Sequence, residues 1–360
     1  MRIKYDMVIV RVDRIGDYVI WHDALGAYKN VFDGKRVLLI CVDSLKSVVE
    51  KESFFTDIIT YNHDKAKKSL KYLWGLLKKL HKINADIVIS PLWRRNILGD
   101  IFVSSIHSSK KIGMAGTPLG AFTFRSVMQH LFNLTYTTLV ESPKTENEIK
   151  AIEYFTQQII APSYRYGYYH FEVEDDFAIG SNKYAVVALS ASNKLRIWSM
   201  DNFASIIDQI PTDYDIVLCG YGADDEKRAR YVTSKVKDGT RIIDMIGRTT
   251  ILQLIALISK SAFVIGNDSS AVHIAAAVKT PSICILPGAH FNRFVPYPED
   301  LPNKEYNPRA VYHMMDCFGC DYKCSRPINE SYECLRKITV GMVKKELNQL
   351  INDIENGRKN

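Results

Sequence analysis

No stretch of this 360-residue sequence reaches the ~20 consecutive apolar residues that a membrane-spanning helix needs, which argues against an integral membrane protein. The N-terminal segment MRIKYDMVIVRV is a charged strand start without the apolar core or cleavage site of a secretory signal, so a cytoplasmic protein is expected. Solenoid-type repeats and low-complexity tracts are missing too, which leaves a globular chain. The basic excess is small, a net +7. It suits phosphate-bearing or otherwise anionic partners but is modest for nucleic-acid binding, and no nucleic-acid partner is expected. Cysteine is sparse outside one segment. Cys41, Cys219 and Cys284 each sit in an apolar, strand-like run and read as small core residues. The other four, Cys317, Cys320, Cys324 and Cys334, are crowded together, which in a reducing compartment reads as a metal knuckle or as clustered thiols rather than disulfides.

With 47% hydrophobic residues, the chain has material for two cores of ordinary size. Residues 7–12, 36–42, 58–61 and 86–91 read as strands. Helical segments fall between and after them at residues 18–31, 45–51, 69–81, 98–106 and 146–160. Residues 161–182 lose this periodicity and read as a linker. The rhythm then resumes with strands at 184–189, 215–219, 241–245, 262–265 and 282–286 and helices at 201–210, 226–236, 251–259 and 271–278. A final amphipathic helix covers residues 340–355, and residues 357–360 form a polar tail expected to fray. Repeated βα units mean parallel, doubly wound sheets. The expected organisation is α/β: an N-terminal domain over residues 1–165, a second over 180–340, and a C-terminal helix and tail over 341–360. Two such domains are expected to face a central cleft.

Two turns carry the chemistry. Residues 264–288, VIGNDSSAVHIAAAVKTPSICILPG, place small polar residues between a buried strand and a short helix. The amides of Ser269, Ser270 and Ala271, the two hydroxyls and the helix dipole would favour an anion such as a diphosphate; an ordinary helix cap is the plainer alternative. Residues 8–17, VIVRVDRIGD, run a strand into a turn at Gly16, where Asp17 is either a helix cap or a general base.

Together, the RIGD turn at the start and GNDSSAVHIAAA far downstream resemble the family 9 glycosyltransferases, best known as the lipopolysaccharide heptosyltransferases. SNKLRIWSMDNF (residues 192–203) looks like that family's phosphate loop, and GADDEKR (222–228) like its Gly-x-x-x-Glu segment. The resemblance is strong in the second half and thin between residues 44 and 181. It implies a GT-B fold of two Rossmann-like domains, the acceptor bound by the first and a nucleotide-diphosphate sugar by the second, with inverting transfer and no catalytic metal. Position by position, Asp17 matches the family's catalytic base, Ser192 a small hydroxyl residue near the phosphates, and Glu226 the ribose-binding acid. Thr249 falls in the adenine-contacting loop, and Asp268 matches the carboxylate that holds the donor sugar. Arg196 stands where a phosphate-binding Lys is usual, and Ser270 replaces a common Gly; both leave donor identity open. The acidic pair Asp224-Asp225 sits at a helix start and reads as capping rather than metal binding.

His273 is either a ligand-facing donor or a buried histidine that fixes the loop. Arg14, Gly16 and Arg293 are candidate acceptor-side residues, with a solvated Arg the alternative for the last. The cysteine segment has spacing that structural zinc or iron sites use, and reduced thiols are the competing reading; a cysteine-ligated iron finger is a feature of the related autotransporter heptosyltransferases. Residues 65–82, KAKKSLKYLWGLLKKLHK, form a helix with Leu70, Leu73, Trp74, Leu77 and Leu80 on one face. That face either packs on the sheet or docks on anionic lipid headgroups. The functional expectation is an enzyme moving a heptose from ADP-heptose to a lipopolysaccharide core or related glycan, in the cytoplasm or on the inner membrane's inner face. A protein heptosyltransferase with a cysteine-bound metal and a non-catalytic nucleotide-sugar-binding protein are the alternatives.

Overall fold

The computed structural model describes residues 2–116, 124–145, 147–167 and 183–357, with residues 173, 177, 179 and 180. The chain divides into two compact units, Met1–Tyr166 and Gly167–Asn360. Residues 358–360 of the expected tail, and much of the expected linker, lie outside the described residues.

The first unit runs β1 (Ile3–Val10), α1 (Ile15–Val31), β2 (Val37–Val42), α2 (Lys46–Val49), β3 (Asp57–Tyr61), α3 (His63–Lys68), α4 (Leu70–Leu80), β4 (Ile83–Ser90), α5 (Ile97–Ser105), β5 (Lys111–Met114), α6 (Phe124–Asn133), β6 (Thr138–Val140) and α7 (Glu148–Ile159). Its six parallel strands lie in the order β3-β2-β1-β4-β5-β6. The second unit runs β7 (Tyr184–Ala188), α8 (Met200–Ile207), β8 (Asp215–Cys219), α9 (Ala223–Lys235), β9 (Ile242–Asp244), α10 (Ile251–Lys260), β10 (Phe263–Asn267), α11 (Ser270–Ala277), β11 (Ser282–Ile285), β12 (Arg309–Val311), α12 (Glu333–Arg336) and α13 (Val340–Gly357). Its strands, all parallel, follow β12-β11-β10-β7-β8-β9. Counted from its own first strand this is the same Rossmann order, so each unit reverses direction at its first and fourth strands. Those two strands end in the motif turns. The fold class is therefore the expected pair of Rossmann-like α/β units.

The central strands read as unbroken apolar runs because both faces are covered: every residue of β2, β7, β10 and β11 is buried. Close strand pairing selects small residues. A Cβ on Gly266 would stand 3.2 Å from the Ala188 Cβ across the ladder. The C-terminal helix is not an appendage. Val343, Leu347, Leu350 and Ile351 of α13 belong to the second unit's core, and the Trp198 indole N–H donates to the Ile338 carbonyl at 2.8 Å.

Sequence periodicity misses β5, β6, α6 and β12, which are short or lack alternation. The helix expected over 69–81 is α4, but the longer helix expected over 65–82 is interrupted at Ser69, which is extended and caps α4 by accepting from the Tyr72 N–H at 3.2 Å. The apolar face divides as well. Leu76 and Leu80 are buried, whereas Leu70 and Trp74 are 86% and 62% exposed. Leu76 and Leu80 lie on the row that α4 buries, and Leu70 and Trp74 fall outside it on a row with Lys78.

Candidate functional site

In the second unit, the loop after β7 and the turn after β10 meet at the point where strand order reverses, and Asn267 locks them together. It is fully buried. Its side-chain carbonyl accepts from the Trp198 N–H at 2.9 Å, and its amide donates to the Leu189 and Ser190 carbonyls at 3.1 and 3.4 Å. The motif reading did not single out this residue, because Asn before Asp-Ser looks like ordinary turn material; its partners lie far away in sequence.

Beside this lock, Arg196 and Asp268 form an ion pair. Arg196 Nη2 also donates to the Asp268 carbonyl at 2.8 Å, and Nη1 donates to Ser192 Oγ at 2.9 Å. Three residues chosen separately from sequence thus form one cluster. Burial works against the Arg196 charge, but Asp268 and Tyr322 outweigh it and raise the pKa further. Arg196 Nε is buried with no hydrogen-bond partner among the described residues, a donor still to be used. Asp268 is held by Arg196 and is nearly inaccessible, so in this state it presents little carboxylate for a sugar hydroxyl.

Next to Asp268, Ser269 occupies the N-cap of α11 with no side-chain bond to the helix. The first-turn amides, including Ser270 and Ala271, therefore point out of the helix end, where the dipole favours an anion. His273, one turn in, is buried; Nδ1 lies 2.8 Å from the Tyr297 hydroxyl and the two rings stack at 5.9 Å. Glu226 is exposed on α9, and its neighbour Asp225 is the buried carboxylate. Asp225 accepts from the Tyr221 N–H at 2.9 Å and also bonds Ser190 and Arg228, so it ties the β8 turn to the β7 loop rather than merely capping. A Cβ on Gly220 would come within 2.6 Å of both Asp225 Oδ2 and Ser190 Oγ, so any larger residue would have to push this pair aside. Thr249 is half-buried just before Thr250, the N-cap of α10. Arg293 is half-buried after β11, its guanidinium 4.3 Å from the Phe294 ring centre.

The four clustered cysteines line one small cavity with Gly288, Phe318 and Tyr332. Among the described residues no group of three His, Cys, Asp or Glu side chains is placed to hold a metal ion. Burial raises the Cys320 and Cys334 pKa values, and neighbouring cysteines add to the rise, which favours neutral thiols. The three strand cysteines are buried, as expected.

In the first unit Asp17 lies in the first turn of α1, half-buried. Among the described residues its carboxylate accepts one long bond, from the Arg14 N–H at 3.4 Å. Arg14 is the exposed N-cap, and Gly16 sits in the first turn. Arg11, which sequence reading passed over, is 2% exposed; it pairs with Asp13 and donates to the Asp17 carbonyl at 3.2 Å and the Pro91 carbonyl at 3.4 Å. Burial pushes the Asp13 pKa up to about 7, with Arg11 opposing and Asp17 and Glu148 adding to the rise.

Two Rossmann-like units, with an anion-ready helix end at the second unit's strand reversal, are the parts of a GT-B glycosyltransferase. Comparison with known proteins agrees. Residues 128–304 match the profile of glycosyltransferase family 9 (heptosyltransferase), and the chain carries that family's domain. It is 34% identical over 124 residues to lipopolysaccharide heptosyltransferase 3 of Escherichia coli K12, an alignment spanning 33% of this chain and only 35% of that protein. A second Escherichia coli protein of the same name is 25% identical over 266 residues, 72% of this chain and 76% of its own length. Among solved structures, a family 9 glycosyl transferase from Veillonella parvula aligns with a TM-score of 0.75 at 16% identity, covering 98% of this chain and 99% of its own. The E. coli heptosyltransferase WaaC with ADP-2-deoxy-2-fluoro heptose aligns at 0.68 and 16%, covering 96% and 99%. The iron-containing dodecameric glycosyltransferase TibC of enterotoxigenic E. coli aligns at 0.54 and 15%, covering 98% and 78%.

Proposed function

We propose that the protein is an inverting, metal-independent heptosyltransferase that moves a heptose from ADP-heptose to a lipopolysaccharide core or related bacterial glycan. The observation that carries this reading is the Asn267-locked junction. It sets a helix N-terminus beside Arg196, whose Nε remains unpaired, and so offers a charged and a dipolar donor to one diphosphate. The second unit is read as donor-binding, through Ser192, Arg196, Glu226, Thr249, Asp268 to Ala271 and His273. The first unit is read as acceptor-binding, with Arg14 and Gly16 beside the base, and Arg293 of the second unit is read as a further acceptor-side residue.

In this mechanism Asp17 accepts the proton of an acceptor hydroxyl as its oxygen attacks the anomeric carbon. The bond from that carbon to the diphosphate breaks on the opposite face, so a single displacement inverts configuration. The departing diphosphate gains charge, which the α11 amides and Arg196 absorb in the role that magnesium plays elsewhere. The cysteine segment is read as clustered thiols and takes no part in the chemistry.

The acceptor is a glycolipid in this reading, and the exposed row of α4 supports peripheral contact with the inner membrane. Leu70, Trp74 and Lys78 lie on that row, with Lys65, Lys67, Lys68, Lys71, Lys79 and Lys82 also exposed. No helix among the described residues is long and apolar enough to cross a membrane.

Calorimetry and thermal shift of the purified protein against ADP-heptose, ADP, GDP and UDP, with and without EDTA, test the donor. Stabilisation by ADP-heptose and ADP that EDTA leaves unchanged is expected, and preference for another nucleotide discards heptose. Asp17→Asn should keep donor binding and lose transfer; a variant that still turns over shows that Asp17 is only a cap.

A further inference from the structure

The segment that carries the cysteines folds back on the loop that follows β11, the neighbour of β10 in the sheet. The Gly319 N–H donates to the Gly288 carbonyl at 2.8 Å and the Asp321 N–H to the Ala289 carbonyl at 3.1 Å. His290 Nε2 stands 2.8 Å from the Asp321 carboxylate. Asp321 and Tyr322 both have left-handed backbones, with φ of 48° and 61°, a conformation that side-chain-bearing residues adopt rarely and that tends to mark functional turns. The turn aims the Tyr322 ring inward. The Arg196 guanidinium carbon lies 5.4 Å from its centre, and the His290 imidazole stands edge-on to it at 4.6 Å.

Two donors at this contact go unused. The Tyr322 hydroxyl is buried without a hydrogen-bond partner among the described residues, and so is Arg196 Nε. Buried polar groups are nearly always paired in folded proteins, and the exceptions call for an explanation. A group with several acceptor oxygens would satisfy both donors at once.

We propose that Tyr322 is a donor-binding residue: its ring supports Arg196, and its hydroxyl, together with Arg196 Nε, binds a diphosphate oxygen of the nucleoside-diphosphate donor. The turn around Cys320 and Cys324 thereby gains a purpose that needs no metal, which is to hold Tyr322 in place. This rests on the second unit being the donor-binding unit, as proposed above.

Tyr322→Phe keeps the ring and removes the hydroxyl, and Tyr322→Leu removes both. Titration calorimetry of the full chain with ADP, GDP and UDP, and with the matching nucleosides, reads the effect. Tyr322→Phe is expected to weaken the favoured diphosphate about tenfold, leave the nucleoside unchanged, and leave the ligand-free melting temperature equal or higher because an unpaired polar group is gone. Tyr322→Leu should weaken the diphosphate further. Wild-type affinity for the diphosphate in Tyr322→Phe overturns the inference alone, as does a lower ligand-free melting temperature, which would mean that the hydroxyl supports the fold. A wild type that binds none of the three nucleotides overturns the donor-site reading and this inference together.

Discussion

Replacing Arg196 with methionine is the sharpest test of the second unit's site. Methionine keeps the long unbranched stem and deletes the guanidinium, which in the wild type pairs with Asp268 and donates to the Asp268 carbonyl and Ser192. Asp268 is 3% exposed, so its carboxylate is left buried without its counter-charge. Removing one member of a buried pair costs about 3–5 kcal/mol, more than the net worth of the intact pair, because the remaining ion keeps its desolvation penalty. At ~2–4 °C per kcal/mol for a unit of this size, scanning calorimetry should show a transition lowered by roughly 6–20 °C near pH 7.5. The deficit should shrink toward pH 5. An unpaired buried carboxylate has a folded-state pKa above its unfolded value, and the protonated form that the fold then prefers becomes more abundant as pH falls. Adding Asp268→Asn in the same chain removes the stranded charge and should recover part of the loss. Arg196→Met within about 1 kcal/mol of wild type, or a double variant no better than the single, would refute the coupling of these two residues.

Asn267→Ala should cost about 3 kcal/mol in denaturant unfolding, since it leaves the buried Trp198 N–H and Leu189 carbonyl unpaired, and should weaken nucleotide binding by loosening the loop that carries Arg196. Asp13 has a folded-state pKa near 7, above the unfolded value, so its contribution to stability is full below about pH 4 and lost as pH rises through 7. Asp13→Asn removes that titration: the variant should match wild type near pH 4 and gain on it by pH 8, and a stability difference independent of pH would contradict the assignment. In vesicle sedimentation, Leu70→Ser with Trp74→Ser should release the protein from anionic phospholipid while sparing nucleotide binding; unchanged sedimentation would remove α4 as the contact. Protein prepared under reducing conditions should carry no stoichiometric zinc or iron by elemental analysis, and one bound metal per chain would restore the knuckle.

Much of this architecture was legible because it follows from local rules. Apolar runs such as residues 37–42 and 184–188 stay readable as strands when both faces of a parallel sheet are covered. Strands of three or four residues, such as β9 and β12, offer little alternation, and β12 escaped notice. The break at Ser69 was hidden because lysines on both sides keep a helical rhythm across it.

By itself, then, the sequence determined the βα succession, the two Rossmann-like units and the placement of its polar motifs at strand ends, since each depends on residues a few positions apart. Tertiary structure decided what those motifs touch. Arg196 and Asp268 are 72 positions apart and meet only because β7 and β10 are neighbours in the sheet. Asn267 became a lock, Asp225 rather than Glu226 became the buried acid, and Tyr322 came to lie against Arg196 through a backbone conformation that its residue type does not announce. Which leucines of α4 are buried was likewise a matter of packing. Periodicity marks an apolar face, and only the position of the neighbouring layer determines how much of that face is covered.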